Sequence, residues 1–254
     1  MHNEKESSYA MLGFSKSELL REGGANGAKE RVEVGFWVKQ CAQPQPMYPN
    51  QLRESSPSSP NYGCEKVSLD VYYESLCPDS VKFIVDNLIE LFEGDLLPIV
   101  DLRFVPYGNA RLDRNSSITC QHGPNECLLN TVEACAIHVW PDLTGATGHF
   151  PFIYCVGTLV YERKYTQWKT CFEKLGLNSK PISDCYSSGL GKELELQYAA
   201  ETNNLQPPHK YVPWVVVDGQ PLYEDYENFV SYICAAYKGS AVPTACRAKS
   251  FSGI

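Results

Sequence analysis

The sequence predicts an α/β fold: a small strand-based core that carries a large, disulfide-rich, mainly helical insertion. Three observations predict it. Residues 67–106 pass from strand-like to helical and back to strand-like periodicity. Residues 214–239 repeat the strand-then-helix order behind an Asp-Gly pair. Between them, residues 108–205 are largely helical in pattern, are broken by Gly and Pro, and hold six cysteines.

Taken in order, residues 1–63 are polar and weakly periodic and end in PQPMYPNQLRESSPSSPNYG, a composition suited to a disordered or linking segment. The folded domain is expected over 64–246, with 247–254 as a tail. VSLDVYY alternates Val67, Leu69, Val71 and Tyr73 against Ser68 and Asp70, the period of two that a pleated strand imposes. SVKFIVDNLIELFE sets Val81, Ile84, Val85, Leu88 and Phe92 on one helical stripe. IVDLRFVPYG alternates again, with Val100, Leu102 and Phe104 against Asp101 and Arg103. Strand, helix and strand at this spacing form a βαβ unit whose strands are parallel. WVVVDGQPLY contains the hairpin signal Asp218-Gly219. YENFVSYICAAYKG then places Phe229, Ile233 and Tyr237 on one helical face, with Gly239 suited to the C-cap. A βαβ unit, a helical block and a ββα ending together describe a thioredoxin-like core with a large insertion.

Composition narrows the function. A net charge of -8 and a pI near 5.2 argue against a nucleic-acid partner, whose phosphates call for a basic face. No apolar run is long enough to span a bilayer. Eleven cysteines in 254 residues point to an oxidising compartment. Setting Cys77 aside leaves ten, an even set for bridging, although Cys41 lies in the segment not expected to fold. The opening MHNEKESSYAMLGFSKSELLREGG has no basic stretch leading into an apolar core and does not read as a secretion signal. The cysteine usage nevertheless favours the secretory pathway, with a start that lies elsewhere. The sequon Asn115-Ser116-Ser117 leans the same way as a glycosylation candidate.

Cys77 stands where the first strand gives way to the first helix, with Pro78 suited to the first helical turn. Helix-start N–H groups favour a thiolate, the nucleophilic form, while the carboxylate of Asp79 opposes it. Ser80 is placed to donate a hydrogen bond to the sulfur. From position alone, Cys77 is either a nucleophile or a bridge-forming or inert cysteine. The acidic residues offer no compelling pair for acid–base work, and neither a G-x-S-x-G elbow nor a phosphate loop is present.

CQHGPNECLLNTVEAC carries the most specific pattern: Cys120, Gln121, His122, Gly123, Glu126, Cys127, Asn130 and Cys135. It resembles the signature of the gamma-interferon-inducible lysosomal thiol reductase (GILT) family at every fixed position. The resemblance extends to VPYGNA (105–110), to LQPPHKYVPWVVVDGQPL (205–222) and to Cys234 and Cys246. As residue types, Cys120, His122 and Cys127 suit zinc, but their spacing fits no compact zinc site. The favoured reading is that the signature cysteines staple the insertion. Cys64, Cys120, Cys127, Cys135, Cys155, Cys171, Cys185, Cys234 and Cys246 are the expected bridge-formers, in a pairing that spacing does not reveal.

The resemblance implies a thiol–disulfide oxidoreductase acting on protein disulfides, without cofactor, in a secreted or lysosomal or vacuolar setting. It implies that Pro213 is a cis-proline beside Cys77, leaving the Val212 backbone to pair with substrate. His209, close by in sequence, is a weaker candidate as a proton donor. The family uses a Cys-x-x-Cys pair, whereas this chain has Cys77-Pro78-Asp79-Ser80. Cys77 can attack a disulfide, but Ser80 cannot resolve the mixed disulfide. An external thiol such as glutathione, or the substrate's own thiol, would have to do so.

Overall fold

The structure is a computed structural model that describes residues 66–145 and 148–250. Cys41 and Cys64 lie outside the described residues. Strand β1 (Val67–Tyr73) runs parallel to β2 (Val100–Pro106), with Val71 opposite Phe104. Between them the chain forms α1 (Pro78–Lys82), a π-helical segment (Phe83–Asn87) and α2 (Glu90–Glu93). The expected helix is therefore present, and its apolar stripe holds: Val81, Ile84, Val85 and Leu88 are buried.

Downstream, the short hairpin β3 (Arg111–Leu112) and β4 (Ile118–Thr119) precedes α3 (Pro124–Val139) and α4 (His149–Tyr161). Helices α5 (Thr170–Lys174), α6 (Lys180–Ser187) and α7 (Leu190–Asn203) complete the insertion. The insertion thus opens with a hairpin that periodicity did not reveal, since two-residue strands have no period to detect. The chain returns as β5 (Trp214–Val217) and β6 (Gln220–Pro221), and ends in α8 (Phe229–Ala236) and α9 (Thr244–Ser250).

The sheet order is β2-β1-β5-β6, with β5 antiparallel to β1 and to β6. That order, fed by a βαβ unit and closed by a ββα unit, is the thioredoxin-like core. Asp218 and Gly219 both have positive φ (48° and 77°), as a two-residue hairpin turn matched to strand twist requires. Gly239 does not cap the last core helix. Helix α8 stops at Ala236, and Tyr237 turns extended as the chain reverses toward α9, to which Cys234 is bridged through Cys246.

Two apolar cores result. Leu69, Val71 and Tyr73 of β1, Phe83 and Leu88, and Phe229 and Ile233 of α8 fill the first. Leu129, Val132 and Trp140 join Phe152, Val156 and Phe172 in the second. Helix α4 serves both, with Phe150 and Ile153 on one side and Phe152, Cys155 and Leu159 on the other. A helix wedged between two cores is apolar all round, and HFPFIYCVGTLVY is. On the opposite sheet face, Tyr72, Val105, Trp214 and Val216 pack against Tyr198 of α7.

The insertion is stapled by Cys120–Cys127, Cys135–Cys185 and Cys155–Cys171. These eight bridged cysteines (with Cys234 and Cys246) were all expected to bridge. Cys77 is the free cysteine among the described residues. Cys135–Cys185 spans 50 residues and Cys155–Cys171 spans 16, so the first constrains the unfolded chain more. Chain entropy gives about 4 and about 3 kcal/mol respectively. Replacing Cys135 and Cys185 by Ala is expected to lower the denaturant midpoint more than replacing Cys155 and Cys171 by Ala.

Candidate active site

Four short stretches converge on Cys77. The first is its own. Cys77 has extended backbone angles (φ -67°, ψ 122°) and caps α1, with Pro78 opening the helix and the Cys77 carbonyl accepting the Val81 N–H at 3.0 Å. Proline fits because the first helical N–H has no intrahelical acceptor to lose. The thiol is 8% exposed. Burial pushes its pKa up, while the Ser80 N–H and hydroxyl and the Asp79 N–H pull it down, and the Glu74 carboxylate pushes it up again. The net direction is upward. Asp79 is solvent-exposed and presents its N–H to the sulfur, so the opposing carboxylate is Glu74, a residue the sequence did not single out.

The second stretch is the loop before β5. The Val212–Pro213 bond is cis, and the Cys77 thiol faces the Val212 carbonyl at 3.8 Å. A second cis bond, Gln206–Pro207, was not anticipated. His209 packs on the backbone of Gly108 and Thr202, and burial lowers its pKa.

The third stretch is the signature, and its role is to hold the chain that delivers Cys77. Cys120–Cys127 closes the turn into α3, which Gly123 caps at φ +87°. No neighbour crowds a Cβ there, so it is the backbone conformation that calls for glycine. From α3, Glu126, Asn130 and Glu133 project along one stripe. The Glu126 carbonyl accepts the Ser75 hydroxyl at 3.3 Å, and Asn130 Oδ1 accepts the Ser75 N–H at 3.0 Å. Glu133 accepts the Tyr73 hydroxyl at 2.6 Å. Helical spacing of four and three residues puts the three on one face.

The fourth is VPYGNA. Asn109 donates its N–H to Glu74 Oε1 at 2.7 Å and its side-chain amide to Gln121 at 2.8 Å. Gly108 has φ +58°, and a Cβ there would meet Glu74 Cγ at 2.4 Å. Glycine is thus required twice over, by conformation and by the close approach of Glu74.

The signature also brings acids together where the sequence offered no pair. His122 Nδ1 lies 2.5 Å from Glu126 Oε2 and 3.4 Å from Glu74 Oε2, and both glutamates are 0% exposed. These are the three residues, among those described, with the donor set for a metal ion. The 2.5 Å separation is that of a hydrogen bond, whereas two ligands each about 2.0–2.1 Å from one cation sit farther apart. The imidazole already occupies the space between the acids. The zinc alternative at Cys120, His122 and Cys127 is overturned, because the two sulfurs are bonded to each other.

The remaining expected residues are placed as follows. Ser80 is buried, its Oγ 3.5 Å from the Glu74 N–H. Asn115 is exposed at the β3–β4 turn, where Asp113 accepts its N–H at 2.8 Å.

The family model for "Gamma interferon inducible lysosomal thiol reductase (GILT)" matches residues 68–175. An Arabidopsis thaliana relative, "Gamma-interferon-responsive lysosomal thiol protein", is 44% identical over 189 residues, covering 73% of this chain and 77% of its own. The chain belongs to the GILT family. A Mus musculus member, "Gamma-interferon-inducible lysosomal thiol reductase", is 35% identical and covers 71% of each chain. "GILT-like protein 1" of Drosophila melanogaster is 34% identical, over 63% of this chain and 68% of its own. Among solved structures, the thiol-disulfide oxidoreductase MdbA of Corynebacterium diphtheriae matches with a TM-score of 0.46 at 13% identity, covering 68% of this chain and 86% of its own. The fold assignment rests instead on the strand order.

Burial also marks the GILT-family site electrostatically. It raises Glu133 to about 8, opposed by the Tyr73 hydrogen bond. Burial likewise raises Glu195, beside Thr131, to about 7. Glu74 is raised to about 7 by burial and then by the Glu126 charge. A raised carboxyl keeps its proton in the folded state after the unfolded chain has lost it. Its stabilisation is complete below the unfolded value of 4.5 and is lost as pH rises through the folded value. Glu133→Gln fixes the neutral form, so its stability relative to wild type is expected to improve from pH 5 to pH 8. The gain should be on the order of 3 kcal/mol, read from urea unfolding at each pH; a pH-independent difference refutes it.

Proposed function

We propose that the protein is a thiol–disulfide oxidoreductase that attacks protein disulfides with Cys77 alone and is resolved by an external thiol. The observation that carries this reading is the free Cys77 at the head of α1, facing the carbonyl before cis Pro213. In the first step, the Cys77 thiolate attacks one sulfur of a substrate disulfide. The Cys77–substrate bond forms, the substrate S–S bond breaks, and its other sulfur leaves as a thiolate that takes a proton. Ser80 and Asp79 N–H groups hold the charge on Cys77 beforehand. The Val212 backbone aligns the substrate segment by strand addition.

Resolution requires a thiolate, and Ser80 supplies none. A small thiol of the glutathione class attacks the mixed disulfide at Cys77, releases the second substrate thiol and remains on Cys77. A second thiol molecule attacks that adduct, frees Cys77 and leaves as the oxidised dimer. Two small thiols are oxidised for each substrate disulfide reduced. Where the substrate has a further thiol, exchange completes as isomerisation instead.

The bridged insertion and the names of the lysosomal relatives support a secretory-pathway setting, extracellular or lysosomal or vacuolar. Asn115, exposed on a turn, is an accessible glycosylation acceptor there. No helix among the described residues is long and apolar enough to cross a membrane.

Incubation with glutathione disulfide and peptide mapping is expected to place the adduct on Cys77. Modification of other cysteines with Cys77 untouched overturns the reading. A second reading, a disulfide-stapled binding protein without turnover, draws on the burial and raised pKa of Cys77. Ser80→Cys separates the two. A tethered second thiol has millimolar or higher effective concentration, so reduction of a protein disulfide should rise on the order of tenfold or more. No gain favours the binding protein.

A further inference from the structure

Glu74 is joined to Cys77 through the backbone and to the signature through its carboxylate. Its carbonyl accepts the Cys77 N–H at 3.3 Å, and its N–H faces Ser80 Oγ at 3.5 Å. Its Oε1 is taken by the Asn109 N–H, but Oε2 is buried with no hydrogen-bond partner and faces His122 Nδ1 at 3.4 Å. Glu126 holds the same Nδ1 at 2.5 Å and the His122 N–H at 3.0 Å. Two fully buried carboxylates therefore flank one imidazole, whose side chain is 33% exposed. Burial and then the neighbouring Glu126 charge hold the Glu74 carboxyl above its ordinary pKa. The other titratable group that feels Glu74 is the Cys77 thiol on the α1 side, while His209 lies against the backbone of Gly108 and Thr202. Asp79 points outward from α1 into solvent.

We propose that Glu74, His122 and Glu126 form one acid–imidazole–acid unit in which Glu74 takes up a proton as the solution turns acidic, removing the negative charge that opposes the Cys77 thiolate. The unit adjusts the nucleophile to an acidic compartment. Above the titration of Glu74, its carboxylate opposes the Cys77 thiolate. Below it, Glu74 is neutral and the thiolate meets no opposing charge from it. Glu74 and His122 are positioning residues that act through Cys77. The proposal rests on the reading of Cys77 as the nucleophile and explains why a thiol reductase signature contains a histidine and a glutamate that touch no sulfur.

The test is the rate of Cys77 alkylation by iodoacetamide from pH 4 to pH 10, followed by peptide mapping on the full chain. Wild type is expected to show two inflections, with a shoulder near the Glu74 titration of about 7. Glu74→Gln should give a single inflection and react about tenfold faster at pH 8, the effect of removing one nearby like charge. His122→Gln should move the shoulder to higher pH, since the imidazole lowers the Glu74 pKa. A single inflection in wild type overturns the proposal without recourse to any variant. So does an unchanged profile in a Glu74→Gln protein that retains the four bridges. If Cys77 fails to alkylate at every pH, the nucleophile reading falls and this proposal with it. A reactive Cys77 with one inflection overturns this proposal alone.

Discussion

The chain leaving β1 is buried before it reaches Cys77, and buried backbone groups need partners. That constraint shapes the site. The strand ladder ends at Tyr73 opposite Pro106, and the next residues have no neighbouring strand. One face of α3 takes over, with Asn130 receiving the Ser75 N–H and the Glu126 carbonyl receiving its hydroxyl. Without α3 the Ser75 N–H would be unpaired in an apolar setting, at a cost of about 1–3 kcal/mol. The insertion is therefore part of the support of Cys77 and not an appendage to the core.

The same dependence runs through packing. Helix α4 belongs to both cores, so the sheet and the insertion cannot separate without exposing Phe150 and Ile153 on one side or Phe152 and Leu159 on the other. The bridges Cys135–Cys185 and Cys155–Cys171 tie α6 and α5 to α3 and α4, which pack closer to the core. A rigid insertion in turn fixes the stripe on α3 against β1.

The core was legible because its elements have periods. Leu69, Val71 and Tyr73 alternate, Val81 to Leu88 recur at helical spacing, and Asp218-Gly219 announces its hairpin. The candidate site was legible in part. Cys77, Ser80 and Pro213 stand out by residue type and order, and the signature by its match to a family. The purpose of the signature was hidden, because a glutamate inside a helix reads as a solvated residue until burial is known. Glu126 and Glu133 differ by seven and Asn130 lies between, a helical polar stripe visible once its partner is known. Glu74 carried no signal at all, since it sits in a non-periodic stretch and its partners lie far along the chain. Gly239 misled because its C-cap role presumed that the helix would continue to the end of its apolar pattern.

Burial of the bridging sulfurs has one more consequence. Cys135, Cys155, Cys171 and Cys185 are all almost wholly removed from solvent. Thiol–disulfide exchange needs access to a sulfur. These two bridges are accordingly poor targets for thiols in solution. Once the second core has closed over them, the same inaccessibility shields these sulfurs from oxidants and reductants alike.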